Sequence, residues 1–379
     1  MSTPAAAQRA EWAEWRPGGH PYSVGAEEEL MLLNTGGWGL AHSVDAMLAS
    51  LPAGLAERVS GETHGSAVEI ASLPHEKVSG VETDLRELRR GLTNALVPMG
   101  LRAASLGTHP FAVWHDTVVS SGDRYQFVYG SMRELARREP TFALHVHVGV
   151  SGPEDAIRLL NRMRAHVPLL LAVSANSPFW QGRDTGLASA RTPLFQAFPR
   201  VGIPRAFEDY ADYVETVDLL IRSGSIPEPT FLWWDVRPQP RFGTVEVRIM
   251  DSQARVAETA AMVALVQSLA RLEVEEGFVS ERTVRLPEVL DENRFLAARD
   301  GMRAELIDAD RETRVPARDY LERVLEACAP HAEALGCTEQ LDRVLAIAAH
   351  TGAERQLDLA RGPGRLPGLV EQLADAFSD

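Results

Sequence analysis

The chain has 379 residues, 45% hydrophobic and 24% charged, the composition of a soluble globular protein with room for one large core or several domains. Acidic residues outnumber basic ones 53 to 38, and the net charge of −15 repels phosphate backbones and anionic lipid, so neither nucleic acid nor a membrane is the expected partner. Lys77 is the single lysine, which all but excludes Schiff-base chemistry and a lysine-bearing phosphate loop; an anion has to be held by arginine, backbone N–H groups or a metal.

Residues 1–19 contain no apolar core of the kind a signal peptide needs. In chain order, Gly25-Ala-Glu-Glu-Glu-Leu-Met-Leu-Leu33 reads as a strand whose period of two places Glu27 and Glu29 on one face. Ala67-Val-Glu-Ile-Ala71 sets Val68 and Ile70 against Glu69. Apolar residues at 78, 81, 85, 88, 92 and 96 predict an amphipathic helix. Ala143-Leu-His-Val-His-Val-Gly-Val150 turns His145 and His147 away from four aliphatic side chains. A helix over 154–172, bent at Pro168, leads to a loop over 175–191 rich in Gly, Asn, Ser and Arg; within it lie Asn176, Arg183 and Arg191, and either arginine could pair with a substrate carboxylate. The longest strongly apolar run, 167–173, is far below the roughly 20 residues that span a bilayer, and a cytoplasmic protein is expected.

A helix over 207–221 precedes Trp233-Trp-Asp-Val-Arg-Pro-Gln-Pro240, whose tryptophans are expected to pack. In the strand Thr244-Val-Glu-Val-Arg-Ile-Met250, Glu246 and Arg248 share the polar face. A helix over 256–276 follows, and from 287 onward the pattern is helical, with breaks at Pro316, Pro330 and the Gly-Pro-Gly of 362–364. The two cysteines, Cys328 and Cys337, are too few for a disulfide framework and are expected as reduced thiols.

Four strands thus repeat one design, aliphatic on one side and ionisable on the other, as in an antiparallel or mixed sheet with helices on one face and a cavity on the other. Glutamates and histidines gathered on one face repel each other unless a cation neutralises them, and oxygen-rich donors with no sulfur suit Mg²⁺ or Mn²⁺. Nucleophile-elbow, zincin, dinucleotide-fingerprint and Walker patterns are all missing. A triphosphate could still bind through such an ion, with Arg248 as the phosphate clamp.

Six motifs in this order resemble the carboxylate–amine ligase branch of the glutamate–cysteine ligase family: Gly25-Ala-Glu-Glu-Glu-Leu30; Gly61-Glu-Thr-His64 with Val68-Glu-Ile-Ala71; Gly107-Thr-His-Pro-Phe111; His145-Val-His-Val-Gly149; Ala175-Asn-Ser-Pro-Phe-Trp180 through Ser189-Ala-Arg191; and Trp234-Asp-Val-Arg-Pro238 through Glu246-Val-Arg248. The resemblance spans about residues 22–278. It implies an α+β, glutamine-synthetase-like fold: a curved antiparallel sheet with helices packed on one face and an open active-site face. The whole of 1–379 would be one catalytic domain, with a motif-bearing core over 20–280 and a helical C-terminal layer over 281–379. It further implies joining of a carboxylate, typically that of glutamate, to an amine at the expense of ATP and Mg²⁺. Carried over by position, Glu27, Glu29, Glu62, Glu69, Glu246 and His145 or His147 would hold metal. Arg248 and Arg183 would contact ATP, Arg191 and Asn176 the amino-acid substrate, and Glu69 and Arg248 would serve the chemistry. A homodimer is expected from base rates alone. The competing reading is a metal-dependent hydrolase built on the His-x-His strand.

Overall fold

The computed structural model describes residues 10–17, 19–138, 140–361 and 365–378. Its centre is a seven-stranded antiparallel sheet. The strands are β1 (Val24–Asn34), β2 (Val59–Gly61), β3 (Ala67–Ala71), β4 (Leu101–Ala104), β5 (Ala143–Gly149), β6 (Val236–Gln239) and β7 (Thr244–Asp251). The order is β6-β7-β5-β1-β3-β2, and β4 pairs with the C-terminal end of β1.

One face of this sheet is dry. Ala26, Leu30, Leu32, Val68, Ile70, Leu144, Val146, Val148, Val245 and Val247 all join the main core, which is what the alternation of aliphatic and ionisable residues requires. Against it pack α1 (Val78–Leu96), α2 (Pro153–Met163), α3 (Val167–Ser174) and α4 (Val256–Glu275). Helix α4 is apolar on nearly every side, and its small alanines let neighbours approach all around it, so it forms the axis of the core. The expected bend at Pro168 falls slightly earlier: a 3₁₀ turn over Arg164–His166 separates α2 from α3, and Pro168 sits in the first turn of α3, where its missing N–H costs nothing.

The C-terminal third is a layer on this core, but it is less purely helical than the pattern suggested. After α5 (Pro287–Asp300), a hairpin of Glu305–Asp308 and Thr313–Pro316 intervenes before α6 (Ala317–Leu335) and α7 (Thr338–Ala349), both packed on α4. Pro316 caps α6 as expected, whereas Pro330 lies inside it without ending it. Pro330 is on the exposed face, where the carbonyl it leaves unpaired can be met by water. The Gly-Pro-Gly of 362–364 lies outside the described residues. Cys328 and Cys337 are buried free thiols. Among the described residues no helix is long and apolar enough to cross a membrane.

Alternation turns Glu28, between Glu27 and Glu29, into the core, where it is fully buried, but does not explain how a carboxylate is tolerated there. Arg89 of α1, also fully buried, meets it with two parallel hydrogen bonds of 2.8 and 2.7 Å, and Thr259 donates to it at 2.5 Å. Arg89 also donates to the carbonyls of Gln253, Ala254 and Phe377, tying β1, α1 and the C-terminus together.

Candidate active site

The other face of the sheet opens on a cavity of about 500 Å³. Register brings its polar side chains together from strands far apart in sequence. Glu27 stands opposite His145 across the β1–β5 pair, Glu29 opposite Glu69 across β1–β3, and Glu246 opposite His147 across β7–β5. Glu62, just after β2, lines the same cavity. The strand assignments drawn from periodicity thus gather four glutamates, two histidines and Arg248 in one place, and Glu62, named through the resemblance, joins them.

A β-bulge completes the arrangement. Val247 pairs with Val146, but the next pair is Met250 with Leu144, so Arg248 and Ile249 together stand against His145. The extra residue re-aims the strand. Arg248 then lies against Glu246 in an ion pair and reaches within 3.3 Å of His145 Nδ1. Glu246 is the most heavily paired carboxylate of the cavity. Besides Arg248 it accepts from Arg237 Nε at 2.6 Å and from Gln239 Nε2 at 2.6 Å.

The charges divide into two groups. Burial raises the pKa of Glu246, but Arg237, Arg248 and His147 outweigh it and hold the carboxyl well below its usual value. Glu27 is likewise depressed: burial opposes ionisation, and His147 and the hydrogen bonds of both histidines overcome it. On the β3 side the nearby arginines, Arg248 among them, do not outweigh burial and mutual repulsion. Burial, followed by the charge of Glu62, pushes Glu29 up to about 7. Burial also raises Glu62, and burial with the charges of Glu27, Glu62 and Glu29 raises Glu69 well above the normal range. His145 falls to about 4 through burial and the charge of Arg248, whereas the carboxylates around His147 overcome its burial and raise it.

This donor set fits a divalent cation. Two groups, Glu27/His145/Glu246 and Glu29/Glu69/His145, each have ligand atoms within 4.8 Å of one another. His145 belongs to both. Its Nε2 is buried without a hydrogen-bond partner, 3.6 Å from Glu29. His147 belongs to neither group; its Nδ1 hydrogen-bonds Thr244 at 3.0 Å, and its Nε2, also buried without a hydrogen-bond partner, lies 3.3 Å from Glu27.

The profile described as glutamate–cysteine ligase family 2 (GCS2) matches residues 23–373. The chain belongs to this family. It is thus a ligase that forms carbon–nitrogen bonds. A relative from Rubrobacter xylanophilus named "Putative glutamate--cysteine ligase 2-1" is 40% identical over 363 residues, covering 96% of each chain. The solved glutamate–cysteine ligase of Francisella tularensis, in complex with AMP, superposes with a TM-score of 0.69 at 13% identity, over 96% of this chain and 90% of that one. A bifunctional glutathione synthetase from Pasteurella multocida gives 0.70 at 14% identity, over 94% of this chain and 52% of its own. Both structures share the fold.

Three of the expected site residues of this family member stand differently from expectation. Arg183 is exposed on a two-residue strand, outside the cavity lining, because the 179–184 segment folds into its own small hairpin. Asn176 is fully buried: its side chain donates to Ser252 O at 2.7 Å and accepts from Gln356 at 2.8 Å, so it ties loops together outside the lining of the polar cavity. Arg191 does line the cavity, but both its terminal nitrogens bond main-chain carbonyls, those of Ile249 at 2.9 Å and Arg248 at 3.2 Å.

Other lining residues went unassigned. Arg237 lay within a quoted motif, and its cross-strand pairing with Glu246 was the missing signal. Arg124 and Tyr125, from the helix Asp123–Met132, carry no local mark of function. Trp233 packs on Phe231 as expected and also borders the cavity.

Proposed function

We propose that the protein is an ATP-dependent carboxylate–amine ligase that works through an acyl-phosphate intermediate and releases ADP and phosphate. The observation that carries this reading is the single polar cavity in which five glutamates and His145 adjoin Arg248. Such a site suits a polyphosphate whose charge is shared between divalent cations and a guanidinium.

In this reading Glu27, Glu29, Glu62, Glu69, Glu246 and His145 hold Mg²⁺ or Mn²⁺, which neutralises phosphate charge when bound. Arg248 contacts the γ-phosphate, and Arg237 and Gln239 keep Glu246 ionised and fixed beside it. The donor carboxylate attacks the γ-phosphorus in line, giving the acyl phosphate and ADP. The amine then attacks the acyl carbon and phosphate leaves. Water has to be kept from the acyl phosphate, which it would otherwise hydrolyse. No covalent nucleophile on the protein is needed.

The test is turnover with ATP, Mg²⁺, glutamate and a panel of amines that includes cysteine, with ADP and product mass followed together. One amide formed per ADP released supports the ligase. Cleavage of a substrate without any nucleotide requirement refutes it and favours the His-x-His hydrolase.

A further inference from the structure

A carboxylate taken out of water needs a cation beside it. Asp235, between the short strand Trp233–Trp234 and β6, is 5% exposed and stands outside the lining of the main cavity. Its cation comes from the C-terminal layer. Arg294 of α5, also buried, places Nε 2.7 Å from one carboxylate oxygen, and its Nη2 donates to the other at 3.3 Å. No other cation pairs with Asp235 among the described residues. Arg294 Nη1 also donates to Gln196 Oε1 at 3.0 Å, just past the helix Arg191–Phe195. The neighbouring Asn293 exchanges hydrogen bonds of 2.9 and 2.7 Å with the main chain of Ile307, so α5 is fixed to the 305–316 hairpin at the same point.

The main chain of Asp235 meets β7. The β6–β7 ladder ends with Val236 opposite Val247, and Arg248 N donates to Asp235 O at 2.7 Å, one step beyond it. The bulge gives that step its weight, because β5 pairs with Val247 and then with Met250, and Arg248 has no paired residue there. Asp235 N donates to Gly202 O at 2.9 Å, which joins it to the strand Val201–Gly202 beside Trp233–Trp234. Trp233, Phe195 and Arg248 all line the main cavity. Arg294 does not; it borders a hollow of about 10 Å³ beside them, too small for a substrate.

We infer that Arg294 is a positioning residue: through Asp235 it holds the main chain of Arg248 and so aims that side chain into the cavity. The C-terminal layer thereby takes part in building the site and does more than cover the core. The kinetic consequence rests on the reading of Arg248 as a phosphate contact; the structural one does not.

The experiment uses the full chain as wild type, Arg294→Lys, Asp235→Asn, Arg248→Ala, and Arg294→Lys combined with Arg248→Ala. Lysine keeps the charge but cannot meet both carboxylate oxygens and Gln196 at once. In Arg294→Lys, hydrogen exchange of peptide 244–252 should be faster by about tenfold or more, with the rest of the sheet unchanged. The kcat/KM for ATP should fall about tenfold while the donor KM stays within about twofold. Asp235→Asn keeps one acceptor for Arg294, so its loss should be smaller, about threefold. On the Arg248→Ala background, Arg294→Lys should cost no more than about twofold further, since one residue acts through the other. Unchanged exchange at 244–252 overturns the inference, as does a general rise across the protein. Faster exchange with unaltered kinetics makes the pair a structural brace alone and overturns it too. A donor KM raised about tenfold marks a direct substrate contact and does the same. If wild type releases no ADP with any donor and amine, the ligase reading fails alone, and exchange at 244–252 still decides whether Arg294 holds β7.

Discussion

The carboxylates on the β3 side of the cavity make a prediction about stability as well as turnover. Glu29 has a pKa near 7 in the folded protein, against 4.5 for the free side chain, because burial and the charge of Glu62 disfavour its ionised form. A carboxyl whose pKa is raised on folding binds more protons in the native state than in the unfolded one. It therefore adds stability below pH 4.5, and that stability drains away as pH rises through 7. A shift of this size corresponds to about 3 kcal/mol. For a chain of this length the unfolding entropy is about 0.8 kcal/mol/K, so the loss amounts to roughly 4 °C in melting temperature. A divalent cation bound among Glu29, Glu69 and His145 should reverse it: at a hundred times its Kd the gain is about 2.7 kcal/mol, of the same size. Melting curves from pH 5.5 to 8.5, in EDTA and in excess Mg²⁺, measure both effects. The wild type in EDTA should lose stability across this window and regain it with Mg²⁺ above pH 7. Glu29→Gln and Glu69→Gln each remove one repelling charge while keeping shape, so each should flatten the slope in EDTA and weaken the response to Mg²⁺. A wild-type slope equal to that of both variants, or no rise with Mg²⁺ at pH 8, would refute the repulsion argument.

Glu69→Gln should also abolish ADP release, by about a hundredfold or more, without unfolding the protein, as an ADP-coupled assay beside the melting curve would show. Arg248→Lys keeps charge but loses the planar fork, so the ATP KM should rise or kcat fall while the melting temperature holds; a collapse in stability with unchanged kinetics would make Arg248 a structural ion pair. Arg89→Met leaves the carboxylate of Glu28 buried without its cation, and denaturant unfolding should report a loss of about 3–5 kcal/mol. The paired change Glu28→Gln with Arg89→Met should recover part of that loss.

Which residues face the cavity was legible in the sequence, because a strand repeats every two residues and one buried face fixes the phase. Glu27, Glu29, Glu69, His145, His147, Glu246 and Arg248 all follow from that rule, and the order of motifs was enough to suggest the family. Glu28 has the same side chain as Glu27 and Glu29; the arrival of Arg89 from α1, with Thr259, makes its burial tolerable. Periodicity could not show that arrival. The β7 bulge breaks the period by one residue and is visible only against the partner strand, so the bond of Arg191 to it was out of reach, and the same arginine read as a free carboxylate grip. Asn176 and Arg183 stand outside the cavity lining, and the sequence could not show this for a related reason. A loop rich in polar residues looks alike whether its side chains face a ligand, solvent or other loops. The choice between His145 and His147 also waited for three dimensions, since both lie on the same strand face. Both lie within 3.3 Å of Glu27, and what sets His145 apart is that it also reaches Glu29 and belongs to both groups of ligand atoms. Local periodicity fixes which way a side chain points, whereas the contacts it makes there depend on residues brought from elsewhere in the chain.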